Sequence, residues 1–128
     1  MDYEEKNMRP HKNLIVWKDS IEFVQFIYTL TKKFPDTEKF GLISQLNRAS
    51  VSVPTNISEG AARNTKKEFI QFLFISSGSL SEVDTLLTIS SKLNFVNENE
   101  FLEANIKMNR ISSLLNGLIK KLKADIKP

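Results

Sequence analysis

Four stretches of this chain repeat apolar residues every three or four positions, a period that suits helices burying one face. The first covers 14–33. Leu14, Trp17, Ile21, Val24, Tyr28 and Thr31 form one row, with Phe23, Ile27, Leu30 and Phe34 in a second row beside it. Together the rows predict a wide buried face. Pro35 ends the stretch, because proline disfavours helical geometry at the residue before it. The second stretch covers 36–62. Asp36 and Glu38 suit the dipole of a helix start, and Leu42, Leu46, Ala49, Val53, Ile57 and Ala61 carry the period. Pro54 falls inside it, removing a backbone donor and crowding the preceding turn. The apolar period passes Pro54 without a phase change, so a kinked single helix is preferred over two shorter ones.

The third stretch, 65–93, opens on Thr65-Lys66-Lys67-Glu68, which reads as a capping box. Phe69, Phe72, Leu73, Leu80, Val83 and Leu87 form its expected core row. The fourth, 98–124, is preceded by Asn97 with Glu100 three residues on, a second capping arrangement. Ala104, Met108, Ile111, Leu115, Leu118 and Leu122 follow at helical spacing. Connections of a few residues make sequence neighbours antiparallel, so the expected fold is an all-α, up-down-up-down four-helix bundle. At 128 residues the chain fits one domain with one core. Residues 1–13 read as a polar tail and 125–128 as a C-terminal end. Only four glycines and four prolines argue against an all-β fold, whose turns need both.

The chain has no cysteine, which excludes disulfides and thiolate metal sites and favours a reducing compartment. Met1 to His11 lacks an apolar signal region, so the cytoplasm is the expected location. The apolar run Phe69 to Ile75 is interrupted by Gln71 and is too short to span a bilayer, so no membrane partner is expected. Enzyme chemistry finds little material. His11 is the only histidine and sits in the tail. Glu59 and Glu82 could pair as carboxylates, but no Glu-x-x-His accompanies them. Ser76, Ser77 and Ser79 have no base in the pattern, and no glycine-rich phosphate loop exists. No catalytic residue, metal or cofactor is therefore expected.

Binding fits the composition better. The net charge is +3, and the last nine residues carry Lys120, Lys121, Lys123 and Lys127 against Asp125 alone. With Arg48, Arg63, Lys66 and Lys67, the lysines at 120, 121 and 123 are the candidate contacts to RNA or DNA. Aromatic residues are not interleaved with them along the chain, so no base-stacking platform is visible. A polar row, Gln45, Arg48, Ser52, Asn56, Glu59 and Arg63, occupies a sector of about 80° beside the apolar stripe of the second helix. It reads either as a solvated face or as a network inside the bundle or between subunits, with Glu82 as counter-charge for Arg48 or Arg63. Nine phenylalanines exceed what one core face needs. Phe72 and Phe74 point about 200° apart, which suggests a subunit interface. Ser76-Ser77-Gly78-Ser79 sits mid-helix, where small residues let a neighbouring backbone approach.

Several segments together carry a family likeness. They are Leu14-x-x-Trp17-Lys18, Phe34-Pro35-x-x-Glu38-x-x-Gly41-Leu42-x-x-Gln45-x-x-Arg48-Ala49, Val51-Ser52-Val53-Pro54-Thr55-Asn56-Ile57-Ser58-Glu59-Gly60, and Phe69-x-x-Phe72-Leu73 with Gly78-Ser79-Leu80-Ser81-Glu82. The chain resembles the 23S rRNA intervening-sequence proteins, also called the S23 ribosomal protein family, from about Leu14 to Leu122. The resemblance implies a four-helix bundle assembled as a ring, commonly a homopentamer. It also implies a likeness to the accessory variability protein of diversity-generating retroelements, a basic pentameric barrel that binds nucleic acid and a reverse transcriptase. It supplies no catalytic residues. The expectation is a non-enzymatic oligomer that binds RNA or DNA through basic faces. Five subunits at +3 would carry about +15. The alternative is a protein-interaction scaffold with no nucleic-acid role.

Overall fold

The computed structural model describes residues 9–126. Helix α1 runs Ile15–Thr31, α2 Leu42–Ala61, α3 Lys66–Lys92 and α4 Glu98–Asp125. Each helix touches only its two neighbours around the bundle, α1–α2, α2–α3, α3–α4 and α4–α1. Side-chain partners run in opposite directions along each pair: Ser52 meets Ser79 and Val53 meets Ser76 across α2–α3, while Lys66 meets Asp125 across α3–α4. The bundle is therefore antiparallel, up-down-up-down, as the four apolar periods require. The starts of α1 and α3 and the ends of α2 and α4 share one end.

The core holds Phe23, Ile27, Leu46, Val53, Ile57, Leu73, Val83, Leu87, Ile111 and Leu115, all essentially sealed from water. On α1 the buried row is Val16, Ser20, Phe23, Ile27 and Leu30. The row through Trp17, Ile21, Val24 and Tyr28 does not enter the core. Ile21 and Tyr28 are exposed and Trp17 and Val24 half-buried; only Thr31 of that row is buried. A 17-residue helix at a bundle corner turns one face to the axis, and its second apolar row lies along the edge facing α2. On α3 the inward row includes Ile70 and Ser76, while Phe69 and Phe72 are half-buried.

Local chemistry sets the helix ends. Asp36–Glu38 forms a separate 3₁₀ turn, so α2 starts at Leu42 rather than at Asp36. Glu38 still acts on the helix start, but from outside it: its carboxylate accepts from the Leu42 N–H at 3.3 Å. Pro54 lies buried within one continuous α2. Thr65 caps α3 by accepting from the Glu68 N–H at 3.1 Å, and Asn97 and Glu100 form a reciprocal box at α4. α3 ends in a Schellman turn. Asn94 takes φ 64°, and the Phe95 and Asn94 N–H groups bond back to the Ser90 and Ser91 carbonyls. Pro10–Asn13, inside the expected tail, is a 3₁₀ turn packed against α1 and α2. Met1 to Met8 of that tail, with Lys127 and Pro128, lie outside the described residues.

Among the described residues α3 alone is long and apolar enough to cross a membrane, with mean hydropathy 1.2 over an 18-residue window. The interrupted run at 69–75 understates this. The core helix of a bundle meets the same measure, and α3 commits Leu73, Val83 and Leu87 fully to the core.

Candidate functional site

Two polar regions gather the residues singled out in the sequence. The first is an open cleft of about 370 Å³ between α2 and α3, lined by Gln45, Arg48, Ala49, Ser52, Ser79 and Glu82. Part of the polar row is a network inside the bundle. The Ser52 and Ser79 hydroxyls share a hydrogen bond of 2.8 Å, and Asn56 Nδ2 donates to Ser52 Oγ at 3.0 Å and to the Ser52 carbonyl at 2.8 Å. Below it the buried Ser76 hydroxyl donates to the Val53 carbonyl at 2.9 Å. These bonds are possible because small side chains let α2 and α3 come together. Gln45, Arg48 and Glu59 are instead exposed.

Glu82 shares the cleft with Arg48 without an ion pair; the pairs among the described residues are Lys33–Glu100, Lys66–Asp125 and Arg110–Asp19. Both groups stand in water, where holding two long side chains together costs as much as the screened attraction returns. Nor does Arg63 turn to Glu82. Its guanidinium lies 4.7 Å from the centre of the Phe72 ring. Gly78, expected to let a backbone approach, has no atom within 4 Å of where a Cβ would stand. The close approach belongs to Ser76 and Ser79. A different glycine is packed tightly: a Cβ on Gly60 would meet Phe72 Cβ and the Phe69 ring at 2.8 Å.

The second region is the end shared by α2, α3 and α4. Arg63 lies in the α2–α3 turn, Lys66 and Lys67 in the first turn of α3, and Lys120, Lys121 and Lys123 in the last turns of α4. The antiparallel fold brings these six cations together against Glu59, Glu68 and Asp125. Lys66 is paired with Asp125 at 3.6 Å. Arg48 stands apart, roughly 20 Å away by helical rise, in the cleft. Aromatic rings are interleaved with these cations in space, although not along the chain. Lys123 Nζ lies 5.3 Å from the centre of Phe74, and Phe74 is 48% exposed. Chain order hides this pairing, because its members stand 49 positions apart.

His11, isolated in the sequence, packs edge-on to Trp17 with ring centroids 5.0 Å apart. Burial against the bundle, reinforced by Lys12 and Arg9, holds its imidazole below the usual pKa. Trp17, with Ile21, Val24, Val51 and Pro54, lines an apolar groove of about 360 Å³ between α1 and α2.

The 23S rRNA-intervening sequence protein model matches residues 12–117. A solved structure, a protein of unknown function from the S23 ribosomal protein family of Bacteroides thetaiotaomicron, superposes with a TM-score of 0.77 at 25% identity. The match covers 83% of this chain and 96% of that one. No curated protein matches the chain. The matched span takes in α1, α2 and α3 whole and α4 as far as Gly117, with the seam between α2 and α3 and the segment from Val51 to Gly60 that carries the likeness; Lys120, Lys121 and Lys123 lie beyond it. This chain belongs to the 23S rRNA-intervening sequence protein family.

Proposed function

We propose that the protein is a non-enzymatic, oligomeric helical bundle that binds RNA or DNA through its basic end. The observation that carries the reading is the convergence of Arg63, Lys66, Lys67, Lys120, Lys121 and Lys123 at one end of the bundle. Cations spread over one subunit attract a polyanion weakly. Gathered at one end, and repeated around a ring, they form a continuous positive surface. Self-association is supported by the α1–α2 groove, where Trp17, Ile21, Val24 and Pro54 border the exposed Tyr28. A cyclic ring is heterologous, so in the ring this groove would meet a different face of the next subunit. The ring and its pentameric number rest on the family resemblance, and the cytoplasmic setting on the lack of cysteine.

Binding is tested by filter retention of labelled RNA and DNA across a salt series. The reading predicts retention at low salt that falls steeply with salt concentration. Absent retention, or a flat slope, overturns it. Multi-angle light scattering tests the assembly, and a monomer in dilute solution removes that part. A stoichiometric protein partner, surviving nuclease treatment when no nucleic acid binds, would instead establish the scaffold reading.

A further inference from the structure

The α3–α4 edge of the basic end holds an arrangement that a general attraction for polyanions does not explain. Phe74 is half exposed on the outer side of α3. A phenylalanine at the surface of a lysine-rich edge gains little from burial. One flank of its ring carries Lys123 Nζ at 5.3 Å. The residue four positions on, on the same side of α3, is Gly78. A side chain at 78 would lie over the preceding turn, where Phe74 sits. Gly78 has open space all round it, so close packing does not account for a residue that costs an exposed helix about 1 kcal/mol against alanine. Glycine at that position leaves no long side chain to lie over the ring. Lys67 lies seven residues before Phe74 and so on the same side of α3, and Lys120 lies one turn from Lys123 on α4. An exposed aromatic ring thus carries one ammonium group, Lys123, and by helical spacing Lys67 and Lys120 fall along the same edge of α3 and α4.

We infer that this edge is a stacking platform for single-stranded nucleic acid, with Phe74 taking an unpaired base and Lys67, Lys120 and Lys123 following the backbone. The inference deepens the nucleic-acid reading and rests on it. A duplex keeps its base faces stacked on one another and offers an aromatic ring nothing but backbone. A single strand offers both a free base face and phosphates. Arg63 over Phe72 extends the same interleaving toward the α2–α3 turn.

The test uses the full chain and fluorescence anisotropy with three labelled probes: oligo-dT, oligo-rU and a mixed-sequence DNA duplex of equal length. The two single strands separate a DNA from an RNA preference. The wild type is expected to bind a single strand at least tenfold tighter than the duplex at the same salt. Phe74→Ala should weaken single-strand binding about tenfold with the salt slope unchanged, and Phe74→Tyr should restore it. Lys123→Ala should instead lower the salt slope. Because Phe74 is half exposed, its loss leaves the core intact, which circular dichroism checks. Equal affinity for duplex and single strand, or a Phe74→Ala protein that binds as the wild type does, overturns the platform while leaving nucleic-acid binding in place. Failure of every probe to bind at low salt overturns both.

Discussion

Between α2 and α3 the helices meet over Ala49, Ser52, Ser76, Ser79 and Gly60, and between α1 and α4 over Phe23, Phe26 and Ile111. The first seam is close enough for hydroxyls to bond across it, at 2.8 Å from Ser52 to Ser79 and 2.9 Å from Ser76 to the Val53 carbonyl. Among the described residues no hydroxyl bond crosses the second, and the cleft along its edge beside Phe23 and Ile111, about 100 Å³, is smaller than the 370 Å³ cleft at the edge of the first. The second seam is bridged from outside by Arg110–Asp19, Lys33–Glu100 and Lys107 over Phe26 at 5.4 Å. Small side chains purchase backbone proximity and buried hydrogen bonds. Large ones set the helices apart, and the gap is spanned by long charged chains whose attraction water screens. Buried bonds in a low-dielectric seam resist loss more than exposed ion pairs do. The two seams should therefore respond differently to substitution.

The largest expected effect is at the tight seam. Gly60→Val places a branched side chain where even a Cβ meets Phe72 Cβ and the Phe69 ring at 2.8 Å. Overpacking against a backbone-anchored carbon should cost about 3 kcal/mol in urea denaturation. A change within a few tenths of the wild type would mean the seam opens freely, and the contrast would fail. Next, Ser76→Ala removes one buried bond across the same seam and should cost about 1 kcal/mol by the same measurement. At the wide seam, Arg110→Ala removes an ion pair whose arginine is largely exposed, so a loss of no more than about 0.5 kcal/mol is expected, shrinking as salt is added. A salt-insensitive loss larger than that of Ser76→Ala would reverse the ranking.

The smallest effect concerns His11, which joins the 3₁₀ turn to α1 through Trp17. Its pKa is lowered in the folded chain, so the unfolded chain binds the proton more readily. The contribution is therefore complete above the ordinary value of 6.5 and is lost as pH falls through the lowered one. Thermal melts between pH 7.5 and 5 should show a slight decline that His11→Gln abolishes. An unchanged decline in that variant would place its origin elsewhere.

Some of this could be read from residue order and some could not. The capping at Thr65 and Asn97 was legible because a cap and its partner lie three residues apart. The acidic pair at 36 and 38 puts the start of α2 six residues too early, because a carboxylate caps equally well from a preceding 3₁₀ turn as from within the helix. Trp17, Ile21 and Tyr28 have the right spacing for a core row, yet spacing cannot say which of two adjacent apolar rows faces the axis. The polar row of α2 was visible as a stripe, but its division into bonded Ser52 and Asn56 and free Gln45 and Arg48 depends on Ser79, which belongs to another helix.

Local order thus determined the four helices, their antiparallel course and the membership of a bundle core, because apolar period and capping act over a few residues. Which cations share a surface, which serines bond across a seam, and that Phe74 stands beside Lys123 were decided only by tertiary structure. Those pairings join residues tens of positions apart, and they exist only once packing has set the rotation and separation of each helix against its neighbours.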